Sequence, residues 1–294
     1  MISQISTRVT YPGGALKAHS IIDDVVAHRL GDDCVLGVVA RVTCMHPRDF
    51  RWPDQPADRG SLLINGQIVP VLDTVKARVT KDGYQIDKDI SLQRGKESSE
   101  AVLVVMHCIN EKAEVSAGDN VEITVDKDFR FSMSSGHTAS HLVTLGLNEI
   151  LLEFWKKPPQ IDENGFPAFT EMSLADSKIL AFSCQDTFRI GKSLKKKGFD
   201  ADLLWKSLPE MEIKLNEFID NIVSDDSAKA FIEPSECPIN DHRKWHLDAN
   251  RHYTKSCGGT HLTDFSQISN IRVELRQENQ ELIARAIVTP KYSG

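Results

Sequence analysis

Apolar positions recur with two different periods along this chain, and the change of period divides it. Between about residues 20 and 128 they fall in short runs rich in Val, Ile and Leu, at 34–40, 68–72, 101–106 and 121–125. Branched side chains are stiff and pack well on a pleated surface, and Gly, Asp, Asn and Pro punctuate the gaps. Each run therefore predicts a strand. Residues 41–60, which contain Pro47, Pro53 and Pro56, predict a loop. The half as a whole predicts a small antiparallel β-barrel or sandwich.

Beyond residue 128 the spacing moves toward the helical period. Ala139, Leu142, Val143, Leu147, Ile150 and Phe154 share one side of a helix expected to begin near Ser135 and to end before Pro158 and Pro159. Met211, Leu215, Phe218, Ile219 and Ile222 predict a second helix over 211–223, and the runs 268–276 and 282–288 predict a terminal hairpin. The expected class is α+β: an N-terminal β-barrel domain over 1–128, followed by an α/β two-layer domain over 129–294.

Composition narrows what such a protein does. A chain of 294 residues has room for two cores, and 40% hydrophobic with 26% charged residues suits a folded protein. With 42 acidic against 35 basic residues the net charge is −7, which excludes gripping nucleic acid by bulk electrostatics. No window is apolar enough for a membrane span, and the start lacks a basic patch followed by an apolar run, so a cytoplasmic protein is expected. Six cysteines without paired spacing argue against a disulfide framework; most are expected to be small buried hydrophobes, with Cys257 as the exception.

Two segments carry candidate chemistry. His137-Thr-Ala-Ser-His141 places two imidazoles one turn apart on a helix face shared with Thr144 and Asn148. That face is either a metal-ligand pair or a plain polar surface. Thr138 stands where a zinc protease has its Glu, so that enzyme class lacks its general base here. In Cys257-Gly-Gly-Thr-His261 two glycines free the backbone for a tight turn, so a sulfur and an imidazole can converge without a helix. Together the segments offer one sulfur and three nitrogens, a tetrahedral complement suited to Zn²⁺. His242 and His246 repeat the spacing, but in what reads as an exposed loop without a cysteine partner.

These residues resemble a known family. His137-Thr-Ala-Ser-His141, preceded by Val125-Asp-Lys-Asp-Phe-Arg130, and Cys257-Gly-Gly-Thr-His261 are similar to the zinc motifs of the AlaX-type alanyl-tRNA trans-editing proteins. The same motifs occur in the editing domain of alanyl-tRNA synthetase and its relative in threonyl-tRNA synthetase. Gln55-Pro-Ala-Asp-Arg-Gly60 and Leu215-Asn216 match more loosely, and the likeness runs from about residue 7 to 288. It departs at 48–54, where the family has a glycine cluster thought to help choose the amino acid and this chain has no glycine.

The resemblance implies a hydrolase acting in trans on mischarged tRNA(Ala), on its seryl or glycyl ester. Its metal ligands would be His137, His141, Cys257 and His261, and a zinc-bound water would attack with no side-chain base assigned. Thr138, Gly258, Gly259 and Thr260 are the substrate-binding candidates. Lys192, Lys195, Lys196 and Lys197 are the tRNA candidates, in a segment, 178–199, that carries a local +5. Two other readings are an RNA-binding module with a structural zinc and a zinc hydrolase of another small ester or amide. A monomer and a homodimer both suit the pattern.

Overall fold

The computed structural model describes residues 4–49, 54–86 and 102–291. The start of the chain, the first residue of the run at 101 and positions 50–53 of the glycine-free stretch lie outside the described residues. In chain order come β1 (Arg8–Val9), β2 (Lys17–Leu30), β3 (Asp33–Ala40), β4 (Val42–Thr43), β5 (Gly60–Ile64), β6 (Gln67–Val71), β7 (Asp73–Thr80), β8 (Gly83–Ile86), β9 (Leu103–Asn110) and β10 (Asn120–Val125). Then follow helix α1 (Lys127–Ile150), α2 (Phe169–Ser173), β11 (Leu174–Leu180), β12 (Ser183–Arg189), α3 (Lys192–Lys196), α4 (Ala201–Lys206) and α5 (Leu208–Val223). The chain ends with β13 (Lys229–Glu233), β14 (Cys237–Pro238), β15 (Lys244–Asp248), β16 (His252–Ser256), β17 (Ile268–Glu278) and β18 (Glu281–Pro290). The class is α+β, mostly sheet. Among the described residues no helix is long and apolar enough to cross a membrane.

The chain forms two compact units. The first comprises Met1–Phe131 with Ile232–Lys244 and Cys257–Thr260. Its main sheet has eight strands in the order β6-β5-β10-β2-β3-β9-β7-β8. β2 joins the two parts of this sheet: Lys17–Ile21 pair with β10, Ile22–Leu30 pair with β3, and a register shift falls between Ile22 and Asp24. Alternation along β3 sends Val35 and Val39 into one apolar cluster with Val75, Val104 and Met106. Val38 and Ala40 enter another with Leu62, Ile109 and Ile123. Because both faces are covered, 34–40 in β3 and 103–106 in β9 read in the sequence as unbroken apolar runs. Gly37 makes room on one face: a Cβ there would lie 2.4 Å from Met106 Sδ.

The expected closed barrel is corrected. The described order has two ends, and β6 and β8 occupy them. Pro70 deprives β6 of a ladder N–H, which suits it to an end of the sheet and not to a closed ladder.

The second unit comprises Ser132–Phe231, Trp245–Ser256 and His261–Gly294. It holds a four-stranded sheet in the order β11-β12-β18-β17 and most of a three-stranded sheet, β13-β15-β16. Along α5, Met211, Leu215, Ile219 and Ile222 are buried at helical spacing. A Cβ on Gly146 would lie 2.5 Å from Leu215 Cδ1, so glycine is what lets α1 approach α5 this closely. α5 also satisfies the free edge of β17: Asn216 donates to Val273 O and accepts from Val273 N, and Leu275 N donates to Glu212.

α1 starts eight residues before Ser135 because Asp126 caps it, accepting from the N–H groups of Asp128 and Phe129. From 132 to 148 every residue of α1 is buried. The histidine face is therefore not an exposed polar surface.

Candidate metal centre

α1 delivers His137 and His141, both buried, with ring centroids 5.0 Å apart. His261 sits 4.2 Å from the first ring and 4.3 Å from the second, centroid to centroid. The ligand atoms of His137, His141, Cys257 and His261 all lie within 4.8 Å of one another, and this group can hold a metal ion. Within this group His141 Nδ1 is buried and has no hydrogen-bond partner. A buried ring nitrogen without a partner costs free energy unless something fills its lone-pair direction. Burial first, then the neighbouring charges of His137 and Lys255, hold His141 well below the ordinary 6.5. It stays neutral, the form in which imidazole binds a metal.

Surrounding groups fix the rings. Thr138 Oγ1 lies 3.3 Å from His261 Nδ1 and accepts from Leu262 N at 3.0 Å, which ties His261 to the turn of α1 that carries the first ligand. Trp245, fully buried, stands edge-on to His141 at 4.8 Å and tilted to His261 at 5.4 Å. Beneath α1, Asp186 accepts from Ser140 and from Ser177 Oγ, and burial raises its pKa to about 6. Further along the same face, Lys255 Nζ donates to Thr144 Oγ1 at 3.0 Å. Asn148 donates to both Asp162 and Glu171.

The cysteine turn is held with equal care. Gln55, buried and 205 positions away, donates to Thr260 Oγ1 at 2.8 Å and accepts from Thr260 N at 3.0 Å. The Gln55 segment is anchored by Asp58, which forms a buried ion pair with Arg130 Nε at 2.9 Å and Nη2, and accepts from His46 N. Tyr11 O–H donates to Gly258 O, and Gly259 N–H points at Cys257 Sγ from 3.4 Å.

Of the predicted substrate contacts, Thr138 and Thr260 are buried and engaged with protein groups, while Gly258 and Gly259 act through their backbone. Lys192, Lys195, Lys196 and Lys197 are exposed on and after α3, apart from the metal group. Acids outside 178–199 offset part of its charge: Lys178 pairs with Asp176, Arg189 with Glu281 and Lys195 with Asp202. Such exposed pairs are worth little, so the lysines stay available. His246 lies on a strand rather than a loop. Its ring stacks on Phe231 at 4.9 Å and neighbours His252, outside the metal group. The six cysteines stand outside disulfides, and Cys34 is exposed.

Several supports were not foreseen from sequence. Trp245 was hidden because its neighbourhood read as loop, whereas the alternation of buried Trp245 and Leu247 with Lys244, His246 and Asp248 is a strand signal. Asp186 and Lys255 gave no signal at all. No protein-family model matches the chain, and no curated protein is found similar to it.

Proposed function

We propose that this chain is a zinc-dependent aminoacyl-tRNA deacylase acting in trans on mischarged tRNA(Ala), with seryl or glycyl esters as substrates. The observation that carries the reading is the convergence of one sulfur and three imidazoles, their ligand atoms all within 4.8 Å of one another. Harder dications prefer oxygen ligands, whereas this donor set suits zinc. When bound, zinc supplies Lewis acidity toward an ester carbonyl, chemistry that calls for no serine or cysteine nucleophile.

The chain's own residues supply positioning. Thr138 and Trp245 keep the rings in place, and Gln55 holds the turn that carries the sulfur. Trans editing answers a physical limit: a pocket separates small side chains by only about 1–3 kcal/mol, so a second, hydrolytic sieve is needed after aminoacylation. The lysines of α3 and Lys197 serve as contacts for the tRNA backbone in this reading.

One feature favours a second reading. Four protein donors fill a tetrahedral zinc shell, as in structural sites, which suits an RNA-binding module without catalysis. Incubation with seryl-, glycyl- and alanyl-tRNA, with and without a chelator, separates the two. Chelator-sensitive loss of the seryl or glycyl ester alone is the expected result. Binding of all three with no hydrolysis establishes the second reading, and neither binding nor hydrolysis leaves zinc hydrolysis of another small ester or amide.

A further inference from the structure

We propose that His246 and His252 form a second, exchangeable metal site, separate from the buried group, which takes a divalent ion with zinc's preference for imidazole. Asp248 orients one of the two rings. The site does not depend on the function proposed above.

The sheet β13-β15-β16 has a buried and a solvent-facing side. Successive side chains of a strand point to opposite faces, so Trp245 and Leu247 go inward on β15 while His246 goes outward. On β16, reached through 249–251, Tyr253 is buried and His252 exposed; on β13, Phe231 is exposed between buried Ala230 and Ile232. Three neighbouring strands thus each present one ring on the outer side. Phe231 stacks on His246 at 4.9 Å with 16° between the planes, and His246 lies 5.3 Å from His252 at 32°. Trp245 meets His141 on the inner side, so the outer pair faces away from the buried group.

His246 Nδ1 and His252 Nε2 stand 3.4 Å apart. A hydrogen bond from N–H spans about 2.7–3.2 Å, so the approach is long for one. Bonds of about 2.0–2.1 Å to a tetrahedral ion place two nitrogen ligands about 3.3–3.4 Å from each other, which is the spacing found. The tautomer of His252 is set as well. Its Nδ1 lies 2.5 Å from Asp248 Oδ1, and a carboxylate accepts, so Nδ1 carries the proton and the neutral ring keeps its lone pair on Nε2. A metal-bound histidine characteristically donates its other ring N–H to such a carboxylate. The stack on Phe231 steadies the ring of His246, so little freedom is lost on binding. Two imidazoles suit zinc, nickel and copper rather than magnesium or calcium, and water completes the shell. A pair of ligands on an exposed face releases its ion more readily than four ligands in the interior.

Calorimetric titration of the full chain with Zn²⁺ tests the assignment. Two equivalents are expected, the second binding more weakly. His252→Ala removes the second and leaves the first; the side chain is exposed, so its loss opens no cavity. His246→Ala does the same. Asp248→Asn keeps both ligands and weakens the second equivalent roughly tenfold. A wild-type chain that takes up only an equivalent untouched by His252→Ala overturns the proposal. So does a second equivalent that survives His252→Ala, because it then sits on other groups, exposed Cys34 among them. A wild-type chain with a single weak equivalent, removed by His252→Ala, upholds this site and overturns the buried centre instead.

Discussion

Gly136 stands one residue before the first histidine of α1, and a Cβ there would lie 2.4 Å from both Leu180 O and Ser183 O. Two terms compete on substitution. Alanine is favoured over glycine inside a helix by roughly 1 kcal/mol. Against this, overpacking costs about 1–3 kcal/mol, and here the obstacle is backbone that cannot rotate aside. Gly136→Ala is therefore expected to lower the thermal midpoint by several degrees and to weaken metal uptake, read by calorimetry and by cobalt titration. A raised midpoint would mean that α1 can slide. In the sequence Gly136 is merely a weak helix residue, because its reason for being glycine lies in the turn between β11 and β12. Gln55 is similar: its type and neighbours drew attention through a family likeness, but its bond to Thr260 is a pairing that local pattern cannot show. Histidine and cysteine spacing was legible because few residue types offer lone pairs to a metal.

Strands and helices were legible to the extent that burial was one-sided or the runs were long. The period of α5 and the terminal hairpin stand in the sequence almost as they stand in the fold. The start of α1 did not, since it depends on the Asp126 cap, and the polar face of α1 could not be placed because its burial is tertiary. β9 illustrates a polar group inside an apolar element. His107 is fully buried, its Nε2 2.8 Å from Thr43 Oγ1 and its Nδ1 3.1 Å from Val38 O. Burial, partly offset by the Val38 carbonyl, lowers its pKa from 6.5 to about 4. The unfolded chain takes up this proton near 6.5 and the folded chain only near 4. Between those values the unfolded state binds more protons, so stability falls as pH drops through that window, by about 3 kcal/mol for a shift of this size. Urea midpoints at pH 4 and 7 should differ more for the wild type than for His107→Gln. Equal differences would show that other groups govern acid unfolding.

At the scale of the whole molecule, a net charge of −7 limits how RNA is held. Local cations have to supply the phosphate contacts. Replacing Lys195, Lys196 and Lys197 with alanine is expected to raise KM for charged tRNA and to flatten the log–log salt dependence by about 2. An unchanged slope would remove α3 from the RNA contact. The α+β class was legible from the change of hydrophobic period, but closure of the first sheet was not, because strand order is set by pairings distant in sequence. The contacts of Asn216 and Glu212 with β17 carry a consequence of their own. An uncovered strand edge is a template on which another chain can add a strand. Here the cover is a helix, α5, whose Asn216 and Glu212 occupy that edge. Asn216→Ala, which uncovers two groups of that edge, is expected to raise light scattering during refolding as well as to lower the stability of the finished fold.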